Sequence, residues 1–177
     1  MHYYSHNNSR HYYFDQGEGE VVLLLHGITN SGRAFSPQAA ALVNAGYRVI
    51  IPDHAGHGAS DKVKDVYSVN DLASDTLALI ETLALTNINI IGVSLGGMIA
   101  LQLLADHPSL FNKAVIANSF AETVNMGFKT MAESWYSEFL SQEGPVKRFE
   151  NSWSKLVNSA FRSSKEGISV YQHWHAQ

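Results

Sequence analysis

The sequence predicts an α/β fold built on a mostly parallel, doubly wound sheet, and three observations predict it. Two continuous apolar runs, Val21–Leu25 and Ile88–Val93, have the pattern of strands covered on both faces, as parallel strands are. Stretches with apolar residues at helical spacing alternate with such runs. Small-residue, glycine-bearing loops follow the runs at their carboxyl ends, where open α/β sheets place ligands.

Composition narrows the function classes. The 177 residues suit one domain of ordinary size, and 45% hydrophobic with 16% charged content describes a folded globular chain. The net charge of −4 falls within residues 1–119, which hold ten acidic and six basic side chains, while 120–177 hold six of each. With no basic stripe to track phosphates, nucleic acid is not an expected partner. The lack of cysteine rules out disulfides and thiolate metal sites and suits a reducing compartment. No apolar run is long enough to cross a bilayer, and the first six residues lack a charged-then-apolar signal pattern. No membrane partner is therefore expected, and the expected location is cytoplasmic.

At the amino end, residues 2–4 and 11–14 are aromatic-rich and are separated by His6-Asn7-Asn8-Ser9. This predicts an antiparallel hairpin, its histidines and tyrosines at half-exposed strand positions. Residues 15–20 read as a polar, glycine-bearing turn, after which Val21–Leu25 runs into His26-Gly27-Ile28-Thr29-Asn30-Ser31-Gly32. Ser36 as N-cap and Pro37 in the first turn start a helix that Gly46 stops, with Ala39, Ala40, Leu42 and Val43 facing the sheet.

Residues 47–51 make the next strand. It ends in a second glycine-rich loop, Pro52-Asp53-His54-Ala55-Gly56-His57-Gly58-Ala59-Ser60-Asp61. Its histidines stand three apart, but the sequence places no third ligand, so turn and packing roles are expected and no metal. Ser68-Val69-Asn70-Asp71 forms a capping box, and Leu72, Thr76, Leu77, Ile80, Leu83 and Ala84 continue it at helical spacing.

That helix leads into Ile88–Val93, which meets an apolar helical run through Gly92-Val93-Ser94-Leu95-Gly96-Gly97. A strand–turn–helix junction of this kind pushes the serine hydroxyl out at the carboxyl edge of the sheet. Glycine tolerates the strained backbone and lets helix and strand approach closely. The following helix, over 95–106, is apolar nearly all round and is expected to be deeply buried. His107-Pro108 ends it, with His107 favoured there by the macrodipole, and residues 113–117 make one more strand.

From Phe120 the pattern changes. Val124, Phe128, Met131, Trp135 and Phe139 lie three or four apart, as do Val146, Phe149, Trp153, Leu156 and Ala160, with Gly144-Pro145 between the series. Ser163-Ser164 breaks the second helix, and 168–177 make a third. The expected organisation is a core over 1–119 and a helical segment over 120–177. The latter carries Trp135, Trp153 and Trp174 on large apolar faces that must cover something.

Three motifs in this order carry a family resemblance: His26-Gly27 after an apolar strand, Pro52-Asp53-x-x-Gly56-His57-Gly58-x-Ser60, and Gly92-Val93-Ser94-Leu95-Gly96-Gly97. Together they resemble the amino-terminal half of an α/β-hydrolase, close to the 3-oxoadipate enol-lactonases and cofactor-free haloperoxidases or esterases. Residues 10–119 match well, and one departure is Ala55, where these relatives usually carry arginine.

The resemblance implies hydrolysis of a small ester or lactone by nucleophilic acyl transfer. Ser94 would be the nucleophile, and the backbone N–H groups of Ile28 and Leu95 would form the oxyanion hole. The side chain of His26 would hold the oxyanion loop, the segment 120–177 would be a helical lid, and no cofactor is implied.

In this family the triad continues with an acid and then a histidine at the ends of later strands. This sequence is expected to stop inside the lid, before those strands. Glu122, His173 and His175 are the weak candidates within it for acid and base, and they do not resemble the usual loops. Two further readings stand beside the hydrolase. One is a non-catalytic binding or interaction module that keeps the hydrolase front half, and the other is self-association through the apolar lid faces.

Overall fold

The computed structural model describes residues 2–63, 66–122 and 126–175, and the side chains of these except 126, 145, 156 and 173–175. The chain divides into two compact units, Met1–Ala121 and Glu122–Gln177.

The first unit is built on one sheet. Its strands are β1 (His2–His6), β2 (Ser9–Gln16), β3 (Val21–Leu25), β4 (Arg48–Pro52), β5 (Ile88–Val93) and β6 (Phe111–Ala117), in the spatial order β1-β2-β4-β3-β5-β6. The four strands β4, β3, β5 and β6 are mutually parallel, whereas β1 and β2 add on antiparallel at one edge. The helices are α1 (Ser36–Asn44), α2 (Val69–Thr82) and α3 (Leu95–Asp106).

The apolar run of β3 behaves as its sequence requires. Side chains alternate between faces, so Leu23 and Leu25 join one cluster with Leu72, Leu79 and Ile80 of α2 and Ile99 and Leu103 of α3. Val22 and Leu24 join a second cluster with Phe35 and with Ala39 of α1. Each fully buried leucine contributes about 2 kcal/mol of transfer free energy, so a strand packed on both faces is strongly held in register.

Several expectations are corrected. The hairpin strands are longer than 2–4 and 11–14. Asn7 and Asn8 take φ of 48° and 59°, a two-residue turn that lets His6 pair with Ser9. Not all its aromatic positions are half-exposed, since Tyr4, His11 and Tyr13 are buried. The His11 ring stacks on Tyr4 at 5.0 Å, and its Nε2 lies 3.8 Å from Asp75 of α2.

Ser36 is not the N-cap of α1. A 3₁₀ turn over Gly32–Phe35 precedes the helix, Phe35 holds the cap position, and the Ser36 hydroxyl donates to the Arg33 carbonyl at 2.6 Å. Ala40 and Ala84, expected to face the core, are exposed, and Leu79 and Leu85 are buried. The capping box at Ser68 and Asp71 is formed, and α2 starts at Val69 behind it. Helix α3 is less enclosed than its composition suggests. Gly96, Gly97, Ile99, Ala100 and Leu103 are buried, and Leu95, Met98 and Leu104 only partly.

The second unit is helical, with α4 (Met126–Phe139), α5 (Gly144–Leu156), α6 (Ser159–Arg162) and α7 (Lys165–His175). Gly144 and Pro145 form the first turn of α5 and do not simply link two helices. The expected second helix is two: Val157 ends α5, and the Asn158 side chain caps α6 by accepting from the Phe161 N–H at 2.9 Å. Inside this unit, Trp153 and Tyr171 have ring centroids 5.5 Å apart, and the Arg148 guanidinium lies 4.2 Å from the Trp135 ring centroid. Val124 lies outside the described residues.

Candidate active site

The parallel strands β3, β4, β5 and β6 all end at one edge of the sheet, so the loops after them meet there. The chain leaves β3 toward β4 on one side and returns to β5 on the other. The ends of β3 and β5 therefore flank a topological switch point, the crevice where such sheets bind ligands. The loop from His26 follows one strand, and Ser94 follows the other.

Ser94 occupies the N-cap position of α3 with φ 53° and ψ −117°. Serine at an N-cap ordinarily lends its oxygen to the helix, worth about 1 kcal/mol, yet Ser94 makes no side-chain cap hydrogen bond. Its backbone carries the junction instead. The Ser94 N–H donates to the Ala117 carbonyl at 3.0 Å, and its carbonyl accepts from the N–H groups of Gly97 and Met98 at 2.9 and 3.1 Å. The Ser119 hydroxyl adds a third donor to that carbonyl at 2.8 Å. A non-glycine residue at this φ costs about 1–3 kcal/mol, so the elbow holds a strained serine whose hydroxyl is left unspent on the helix.

The glycines explain how the turn closes. A Cβ on Gly96 would overlap the carbonyl of Leu25 and come within 2.7 Å of that of His26, so α3 rests on the end of β3 only because no side chain intervenes. Gly27 lies against the serine from the other loop: a Cβ there would sit 3.3 Å from Ser94 Cβ and 3.9 Å from Ser94 Oγ. Ile28, next in the chain, is exposed, and Leu95 is the first residue of α3, where the helix offers no acceptor for its N–H. Gly27, which precedes Ile28, thus lies against Ser94, which precedes Leu95.

Behind this crevice lies a histidine cluster: His26, expected to hold the oxyanion loop, with His54 and His57, expected only in turn and packing roles. His26 is 1% exposed, its Nδ1–H donates to the Gly27 carbonyl at 2.8 Å, and its Nε2 accepts from the His54 N–H at 3.1 Å. His54 Nε2–H in turn donates to the His26 carbonyl at 2.9 Å. Burial holds His26 as the neutral ring, with its pKa lowered to about 4, against the opposing pull of the Gly27 hydrogen bond. Burial and then the neighbouring His26 ring push His54 in the same direction. His57 donates from Nδ1 to the Ala55 carbonyl at 3.0 Å.

Asp53 organises the second loop. Its Oδ1 accepts from the Gly32 N–H at 2.6 Å and its Oδ2 from the Ala59 N–H at 2.8 Å, while its carbonyl accepts from the Ser60 hydroxyl at 2.7 Å. Asp53, His54 and Ser119 were missed as site-shaping residues. Asp53 did carry a signal, its place in the Pro52–Ser60 motif at a strand end beside glycines. The pairings of His54 and Ser119 span 28 and 25 residues and have no local signature.

The candidates for acid and base fare differently. His107, expected only as a helix-terminus residue, is the C-cap at the far end of α3, about 18 Å along a twelve-residue helix from Ser94. Glu122 is exposed and belongs to the second unit. His173 and His175 lie in the last turn of α7, and their side chains lie outside the described residues. Among the described residues no imidazole hydrogen-bonds Ser94 Oγ.

Comparison with known proteins agrees with this architecture. The chain is 29% identical to (E)-2-((N-methylformamido)methylene)succinate hydrolase of Acinetobacter baylyi, over 93% of this chain and 70% of that one. An esterase from Exiguobacterium antarcticum superposes with a TM-score of 0.79 at 28% identity, covering 95% of this chain and 63% of the esterase. The enol-lactonase from Burkholderia xenovorans superposes with a TM-score of 0.84 over 98% of this chain and 66% of its own, a likeness of fold at 22% identity. Other curated relatives align over 59% of this chain and 40% of their own length. Residues 20–170 match the alpha/beta hydrolase fold family, and with the strand order and the strained serine junction already described, the chain belongs to that family.

Proposed function

We propose that this chain is the front part of a serine hydrolase that cleaves a small ester or lactone by acyl transfer through Ser94. One observation carries the reading: Ser94 stands at a helix N-cap in a strained conformation without capping the helix, beside the Gly27–Ile28 loop at the switch point. A fold stabilises such a residue at a cost of a few kcal/mol, and a nucleophile held clear of its own helix is the use that fits.

In this reading Ser94 Oγ attacks the carbonyl carbon as a base takes its proton. The oxyanion is held by the N–H groups of Ile28 and Leu95, and the alcohol leaves to give an acyl-enzyme that water then hydrolyses. The base and its carboxylate are assigned to polypeptide beyond the 177 residues. The share of the relatives' length that the chain spans supports this. The esterase and hydrolase relatives support the reaction class, and the 120–177 helices are assigned the lid. The test is a fluorophosphonate probe with peptide mapping. With the base assigned elsewhere labelling is slow, so the rate is compared with that of the denatured chain. Adduct at Ser94 formed faster in the folded chain and lost in S94A supports the reading, and a folded chain labelled at Ser94 no faster than the denatured one favours the non-catalytic module.

A further inference from the structure

We propose that His54 is a positioning residue for the Ile28 N–H, acting through a two-point clamp on His26. The proposal rests on Ser94 and Ile28 having the roles given above, and it extends them to a residue outside the crevice.

The clamp is reciprocal. The His54 backbone N–H is donated to His26 Nε2, and the His54 ring Nε2–H is donated to the His26 carbonyl, at 3.1 and 2.9 Å. The two rings lie with centroids 4.0 Å apart, and both residues are buried. With His26 Nε2 occupied as an acceptor, the proton of the neutral ring must sit on Nδ1, which donates it to the Gly27 carbonyl at 2.8 Å. The Asn30 N–H reaches the same carbonyl at 3.3 Å.

The peptide is planar and trans, so fixing the Gly27 carbonyl fixes the Ile28 N–H in the opposite direction, away from the His26 ring. His54 therefore sets the tautomer of His26 and the height of its main chain, and the two together set the aim of one backbone donor. The Asp53 carboxylate, which binds the Gly32 and Ala59 N–H groups, anchors the loop from which His54 acts. An alternative in which His54 merely fills space would need its volume but not its ring N–H.

Glutamine and methionine at position 54 separate these cases, because they have similar shape and only glutamine can donate to the His26 carbonyl. In the full chain, H54M is expected to slow phosphonylation of Ser94 by a fluorophosphonate by about tenfold or more, and H54Q to stay within about threefold of the parent. The Ile28 amide resonance is expected to move in H54M and to hold its place in H54Q. Equal behaviour of the two variants in both measurements would overturn the positioning role.

If the folded parent is labelled at Ser94 no faster than the denatured chain, the nucleophile assignment falls, and the Ile28 resonance still decides whether His54 aims that N–H. Long-range 1H–15N spectra of the parent histidines need no variant. His26 protonated on Nδ1 and bare on Nε2 at neutral pH, with His54 protonated on Nε2, is expected. His26 carrying its proton on Nε2 would contradict the clamp outright.

Discussion

Gly96 rests on the carbonyl of Leu25, so closely that any Cβ at position 96 would overlap it. This contact seats the first turn of α3 on the end of β3 and brings Ser94 to the Gly27 loop. G96A must push helix and strand apart against backbone atoms that have no rotamer to yield, which costs about 1–3 kcal/mol. The expected result is a lower urea midpoint together with slower modification of Ser94. An unchanged midpoint would mean that the junction is looser than described.

Asp53 is a second point of failure. Its two oxygens each accept a backbone N–H, from Gly32 and Ala59. Asparagine can accept only one and turns an NH2 group toward the other, leaving a partly buried donor unmatched. D53N is expected to lose about 2–3 kcal/mol in urea unfolding, and a loss below about 0.5 kcal/mol would contradict the loop's dependence on the carboxylate.

The sequence made much of this readable. Val21–Leu25, the Ser68 capping box and the α3 boundaries were legible because each depends on local spacing. The strand–turn–helix junction at Ser94 was legible because strand, glycines and helix lie within a dozen residues. The clamp of His54 on His26 and the bond from Ser119 to the Ser94 carbonyl were not, because tertiary folding alone brings those residues together. Ser36 misled for a related reason: a 3₁₀ turn ahead of α1 took the cap position that the residue type favours. The hairpin was read as half-exposed because alternation reveals which residues share a face and not that α2 covers it.

The buried histidines set an acid limb. His26 has its pKa lowered from 6.5 to about 4 by burial, so the unfolded chain binds the proton first and stability falls as pH drops. The contribution is fully present above about pH 6.5 and is lost between there and about pH 4. His26 alone accounts for about 2 kcal/mol between pH 7 and 5. His54 works in the same sense, and Asp75, whose pKa burial raises, works in the opposite one. The parent's urea midpoint is expected to drop from pH 7 to 5, and that of H26Q to change less. Parallel curves would contradict a buried neutral His26.

Ser119 offers a graded test of the elbow. Its hydroxyl is one of three donors to the Ser94 carbonyl, the others being the N–H groups of Gly97 and Met98. S119A therefore leaves that carbonyl satisfied and is expected to cost about 0.5–1.5 kcal/mol by urea unfolding, without loss of the fold. A larger loss would show that Ser119 does more than brace the turn.

The central claim is that Ser94 is a nucleophile. It is tested most directly by exposing the 177-residue chain to p-nitrophenyl acetate and mapping the product by mass spectrometry. With the base assigned elsewhere, both acylation and its reversal by water are slow, so an acyl-enzyme once formed should persist. The account predicts one acetyl group on the peptide containing Ser94, formed ahead of every other serine and absent in S94A. Acetyl groups scattered over surface lysines and tyrosines, with Ser94 unmodified in the folded chain, would contradict it.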